Sequence, residues 1–148
     1  MSTRTKILAA VAALALLVIV LARGGEPSPQ RQALEDDPMA SYVPPGGTLV
    51  NTTSENEGTS AGVYTDATFT REFQLPSGRG NEAVRDARAA AKAAGWVVGT
   101  SGAKVFDASK RVASGRVVLH VALLENPHLL PKGTKPPVLI VLLRHPAP

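Results

Sequence analysis

The chain has 148 residues, a formal net charge of +4 and no cysteine. Its length leaves room for one domain and no large catalytic architecture. The missing cysteines exclude a disulfide scaffold, a thiolate metal site, a cysteine nucleophile and a lipidated N-terminal cysteine.

Apolar residues make up 44% of the chain, and sixteen of them form one unbroken run, residues 7–22 (ILAAVAALALLVIVLA). As a helix this run spans roughly 24 Å, and Thr5 with the stems of Lys6 and Arg23 extends it toward the ~30 Å hydrocarbon core. Residues 1–22 are therefore expected to form an N-terminal transmembrane anchor, with the lipid bilayer as partner through residues 5–22. Arg4, Lys6 and the terminal amine hold that end in the cytoplasm and send the rest of the chain outside, although Arg23 weakens the asymmetry. The alternative is a signal peptide cleaved near Ala22, giving a secreted protein. Val18-Ile19-Val20-Leu21 offers no polar segment before that point, which favours an uncleaved anchor.

Residues 24–63 carry Arg31 against Glu26, Glu35, Asp36, Asp37, Glu55 and Glu57, whereas residues 64–148 are strongly basic. The acidic stretch also holds five prolines and a polar tract from Asn51 to Gly58. Such a composition buries too little to offset the entropy of folding, so residues 23–62 read as a flexible linker with a reach of roughly 35 Å. Its apolar cluster, Tyr42, Val43, Leu49 and Val50, flanks the turn signal Pro44-Pro45-Gly46-Gly47 and is placed to dock on the folded part.

Periodicity begins at Val63. Alternation over 63–75 predicts a half-buried strand ended by Pro76-Ser77-Gly78. A helix follows over 82–94, with Asn81 as the expected N-cap, Glu82 at the positive end and Gly95 as the stop. Val84, Ala87, Ala91 and Ala94 form its narrow apolar stripe. Strands are expected from Trp96, over Lys104–Val112, over Val117–Glu125 and over Val138–Leu143, with Ala113-Ser114-Gly115-Arg116 as a hairpin connection. The resulting domain, residues 63–148, is α+β: one helix on an antiparallel sheet of four to five strands in the order β-α-β-β-β-β.

Two of these strands carry more aliphatic surface than one alanine-rich helix can cover. Val118, Ala122, Leu124, Val138, Ile140 and Leu142 fall on the face opposite the helix. Either the linker cluster folds back over them, or the sheet curves to close its own core, or they form an interface for a homodimer or another envelope protein.

Other motifs weigh less. Gly78-Arg-Gly80-Asn-Glu-Ala83 has dinucleotide-loop spacing, but the surrounding strands read as antiparallel and no acidic residue ends the next one, so the glycines read as turn residues. Ser101-Gly-Ala-Lys104 has the spacing of penicillin-recognising serine enzymes without their other elements. Leu130-Pro131-Lys132-Gly133-Thr134 superficially resembles a sorting signal but precedes too short an apolar run. His120, His128 and His145 show no metal-ligand or acid–base pattern, and Asp107, Ser109 and His120 make only a loose triad. No catalytic, cofactor-binding or metal-binding residue is assigned, and no cofactor is expected. Arg85, Arg88, Lys92, Lys104, Lys110, Arg111 and Arg116 form a candidate basic surface for anionic lipid or an acidic envelope polymer. The extracytoplasmic topology and few aromatics argue against nucleic acid.

The short Ala/Leu anchor, the DDPMASYVPPGGTLVNTTSENEG segment and the AVRDARAAAKAAGW helix give a layout that resembles the small membrane-anchored proteins, without an assigned activity, that are common in high-GC actinobacteria. Arginine outnumbers lysine ten to six, in keeping with a GC-rich genome. The resemblance implies location and transfers no functional residue. The sequence thus leads to the expectation of a non-enzymatic, single-pass binding module at the cell envelope, with a small envelope hydrolase or accessory enzyme as the alternative.

Overall fold

The computed structural model describes residues 26–130 and 132–146. The expected transmembrane helix and its flanks lie outside these residues. Among the described residues, no helix is long and apolar enough to cross a membrane.

The fold is α+β, built on a six-stranded antiparallel sheet. In chain order the elements are α1 (Pro29–Glu35), a 3-10 turn (Pro38–Ala40), β1 (Thr48–Glu55), β2 (Gly58–Ser60), β3 (Val63–Thr65), β4 (Ala67–Gln74), α2 (Gly80–Ala93), β5 (Val97–Ser101), β6 (Val105–Val112), β7 (Gly115–Leu124), a second 3-10 turn (Pro127–Leu129) and β8 (Val138–His145). The sheet order is β1-β4-β8-β7-β6-β5, and β2 and β3 form a separate two-stranded ribbon. The order from β4 onward matches the expected β-α-β-β-β-β pattern. The sheet gains a sixth strand and the fold a second helix from residues 26–62.

That segment corrects the flexible-linker expectation. Ser28 caps α1 by accepting from the Arg31 N–H at 3.1 Å, and Pro29 begins the helix with its φ already set. Leu34 and Met39 are fully buried in the same core as Phe73, Trp96, Phe106 and Leu143. Arg71 on β4 ties the segment down by donating to the Ala40 and Tyr42 carbonyls at 2.9 and 3.1 Å. β1 pairs with β4 from Thr68 to Gln74, with a register shift between Leu49 and Asn51, and is exposed over most of its length, which is why it shows no apolar alternation. The apolar cluster around Pro44 divides: Tyr42 packs against the core, whereas Val43, Leu49 and Val50 stay exposed.

The strand expected over 63–75 breaks at Asp66. Its first part pairs with β2 through the turn at Ala61 and Gly62, whose φ angles are +50° and +78°, and the second becomes β4. α2 also starts differently. Arg79 occupies the cap position with no side-chain cap bond, and Asn81 lies inside the first turn. Its C-terminus follows the expected Gly95 stop, with Gly95 at φ +83°. The Gly95 N–H bonds the Lys92 carbonyl and the Trp96 N–H the Ala91 carbonyl, both at 3.0 Å, which satisfies the last turn and turns Trp96 into the core.

Both helices pack on one side of the sheet. α1 contacts β4 and β8, and α2 contacts β5 to β8. Ala83, Val84, Ala87 and Ala91 of α2 are buried there with Phe73, Phe106, Leu119, Val121, Leu139, Val141 and Leu143 from the strands. Small alanines let the helix lie close. Gly80 takes this furthest, since a Cβ there would stand 2.6 Å from Leu123 Cδ2. The glycines of the dinucleotide-like motif therefore serve packing and turning: Gly80 for close approach and Gly78 for its φ of +78°.

Candidate binding face

Strand alternation sends the neighbours of these core residues to the other side of the sheet. The register places them in rows. Gln74, Val138 and Leu124 share one row, and Glu72, Ile140, Ala122 and Val105 the next. Thr70, Leu142, His120 and Asp107 follow, then Thr68, Arg144, Val118 and Ser109. The side toward β1 is polar and the centre is aliphatic. All six residues expected to form an apolar interface fall on this face. Val138 is fully buried, and the other five are partly exposed. Val105 and Val97, on the β6 and β5 side, are more exposed still, at 39% and 71%. The buried residues of residues 26–62 and of α2 join the core on the opposite side, so the described N-terminal segment does not supply the cover considered for this face.

Two polar groups interrupt the aliphatic surface. Asp107 and His120 are cross-strand partners, with Asp107 Oδ1 2.6 Å from His120 Nδ1. Together with Val118, Leu142 and Arg144 they line a shallow cavity of about 170 Å³. Arg144 pairs with Asp66 at 3.4 Å. Ser109 sits one row from the Asp107–His120 pair and lines a neighbouring cavity with Asp107 and Val118. The carboxylate fixes the imidazole by its Nδ1, so the arrangement can present Nε2 to a ligand on the face. Among the described residues no group of three His, Asp or Glu side chains could hold a metal ion.

The seven candidate basic residues do not form one surface. Arg85 and Lys92 are exposed on α2. Arg88 instead leans over the Phe106 ring at 5.5 Å and donates to the Gly102 carbonyl at 2.6 Å. Lys104 pairs with Glu125. Lys110 turns to the core side, donating to Asp37 Oδ2 at 3.0 Å and the Ala94 carbonyl at 2.8 Å. Arg111 and Arg116 face each other across β6 and β7 at the edge of the open face. Lys110 pairs with the buried Val117 on the helix-facing side of the sheet, where a lysine calls for a buried carboxylate. Asp37, in the segment read as linker, is that carboxylate.

Ser101 lies on β5 rather than at the start of a helix, so the serine-enzyme spacing has no matching geometry. Comparison with protein-family models, curated proteins and solved structures yields no match.

Proposed function

We propose that this chain is a single-pass, membrane-anchored and non-enzymatic binding module of the cell envelope, and that the open sheet face is its contact surface. The observation that carries this reading is the register of Val118, Ala122, Leu124, Ile140 and Leu142 in the middle of a face that α1 and α2 leave bare. Monomeric domains rarely leave a contiguous aliphatic surface in water, and such surfaces mark contacts with proteins. The polar columns on β1 and β4 and the arginines at the β6–β7 turn end supply part of the rim that a selective interface requires.

A photo-crosslinking residue placed at position 140 of the full-length protein in its native membrane tests the proposal. A discrete adduct, with a second copy or another envelope protein, is expected from position 140 and not from position 85 on the outer side of α2. Val118→Glu should abolish it. Equal, diffuse labelling from both positions would overturn the reading.

The Asp107–His120 pair favours a second reading, a small hydrolase in which the carboxylate orients an imidazole base. Hydrolysis of activated esters that is lost in His120→Gln while the position-140 adduct persists would support this alternative.

A further inference from the structure

The place where the chain enters the fold carries information about how the domain sits. Glu26 and Ser28 are fastened to the β1–β2 connection. Asn56 Nδ2 donates to the Glu26 carbonyl at 3.3 Å, the Ser28 N–H donates to Asn56 Oδ1 at 3.0 Å, and the Ser28 hydroxyl donates to the Glu57 carboxylate. The apolar run ends at Ala22, four residues before Glu26. Four extended residues reach about 14 Å at most. An anchor ending at Ala22 would therefore lead into the fold beside the β2–β3 ribbon with almost no spacer.

That ribbon exposes Val63 and Tyr64, 64% and 70% accessible. It lies between β1 and β4, at the sheet end that also holds the β6–β7 turn and Arg144. An exposed tyrosine beside an exposed valine next to a turn is the kind of side-chain pair that partitions into the boundary between headgroups and acyl chains.

We propose that the β2–β3 ribbon rests in the interface of the bilayer that holds the anchor, with Val63 and Tyr64 inserted at the headgroup level. This rests on the anchored reading given above and adds an orientation: the ribbon end faces the membrane and the strands run away from it. The contact is apolar in kind. Glu55, Glu57 and Asp66 share this end with Arg111, Arg116 and Arg144, so anionic lipid is not required.

Because the chain has no cysteine, single-cysteine labels report position without background. Nitroxide labels at Ala15→Cys, Val63→Cys, Tyr64→Cys and Leu129→Cys are compared in the full-length protein reconstituted in phosphatidylcholine vesicles. Leu129 is an exposed control in the 3-10 turn between β7 and β8. Collisions with oxygen and with a water-soluble nickel chelate give the depth of each label. The expected result is a label at 63 or 64 shielded several-fold from nickel relative to 129, at a depth between 129 and 15. Labels at 63 and 64 as aqueous as 129, with the label at 15 in hydrocarbon, would overturn the contact and leave the anchor standing. An aqueous label at 15 would remove the anchor and the contact together.

Discussion

Asp37 is the residue on which the helical segment and the sheet meet. One carboxylate oxygen accepts from the Met39 N–H at 2.9 Å and from Trp96 Nε1 at 3.1 Å, and the other takes Lys110. The side chain is almost fully buried, so removing it strands an indole N–H and a lysine ammonium that retains only partial access to water. Asp37→Ala is expected to cost about 2–4 kcal/mol, at the lower part of the range for broken buried pairs because Lys110 can partly resolvate. Urea unfolding checks this, and Asp37→Ala with Lys110→Met should recover part of the loss. Tyr42 is the counterexample nearby. Its hydroxyl is buried with no hydrogen-bond partner among the described residues, and burial first, then the Asp86 charge, push its pKa up to about 12. A raised phenol favours the neutral, folded form: its contribution is intact below pH ~10 and is lost as pH climbs toward 12. Tyr42→Phe should therefore leave stability at pH 7 unchanged or slightly higher, and flatten the alkaline limb of unfolding between pH ~10 and ~12.

At the level of elements, the part of the fold that was legible is the part with period. β4, α2 and β6 to β8 all stand close to where alternation and the alanine stripe put them. The aliphatic excess of β7 and β8 likewise exposed the candidate face before any geometry, because a central strand with apolar residues on both sides needs two covers. What stayed illegible has a common cause. Ser28-Pro29, Asp37-Pro38 and Asn126-Pro127 are each a capping side chain followed by a proline at the first helical position. In proline-rich stretches between periodic elements these prolines read as breakers, though each one starts a helical turn. β1 was hidden for a different reason: an edge strand exposed on both faces has nothing to alternate, and only its β-branched threonines and valine mark it. The integration of this segment has a measurable consequence. Leu34→Ala should destabilise the fold by about 2–5 kcal/mol, as for any buried leucine. The same substitution in a free linker would change nothing, so thermal unfolding of this one variant decides between the two.

For the described residues as a whole, the arrangement has two layers, helices on a sheet, and an aliphatic sheet face that neither helix covers. If the ribbon end meets the bilayer, the strands stand away from it and the open face points sideways, toward whatever shares the membrane. A neighbour anchored in the same bilayer, including a second copy turned about an axis along the membrane normal, then meets this face without lifting either partner. The bareness of the face can be tested with two adjacent residues on β8. Ile140 points to the open side and is partly exposed, whereas Val141 points to the helices and is fully buried. A glutamate at 141 must bury its charge under α1 and α2 and is expected to cost more than about 4 kcal/mol, or to prevent folding. A glutamate at 140 keeps its carboxylate in water and loses only strand propensity and neighbour packing, about 1 kcal/mol. Denaturant midpoints of the two variants give the comparison directly. Equal, severe losses would mean that something covers the face within the monomer, and the proposed contact surface would have to be abandoned. A mild Ile140→Glu that folds normally yet loses its cross-linked neighbour would locate the binding on this face.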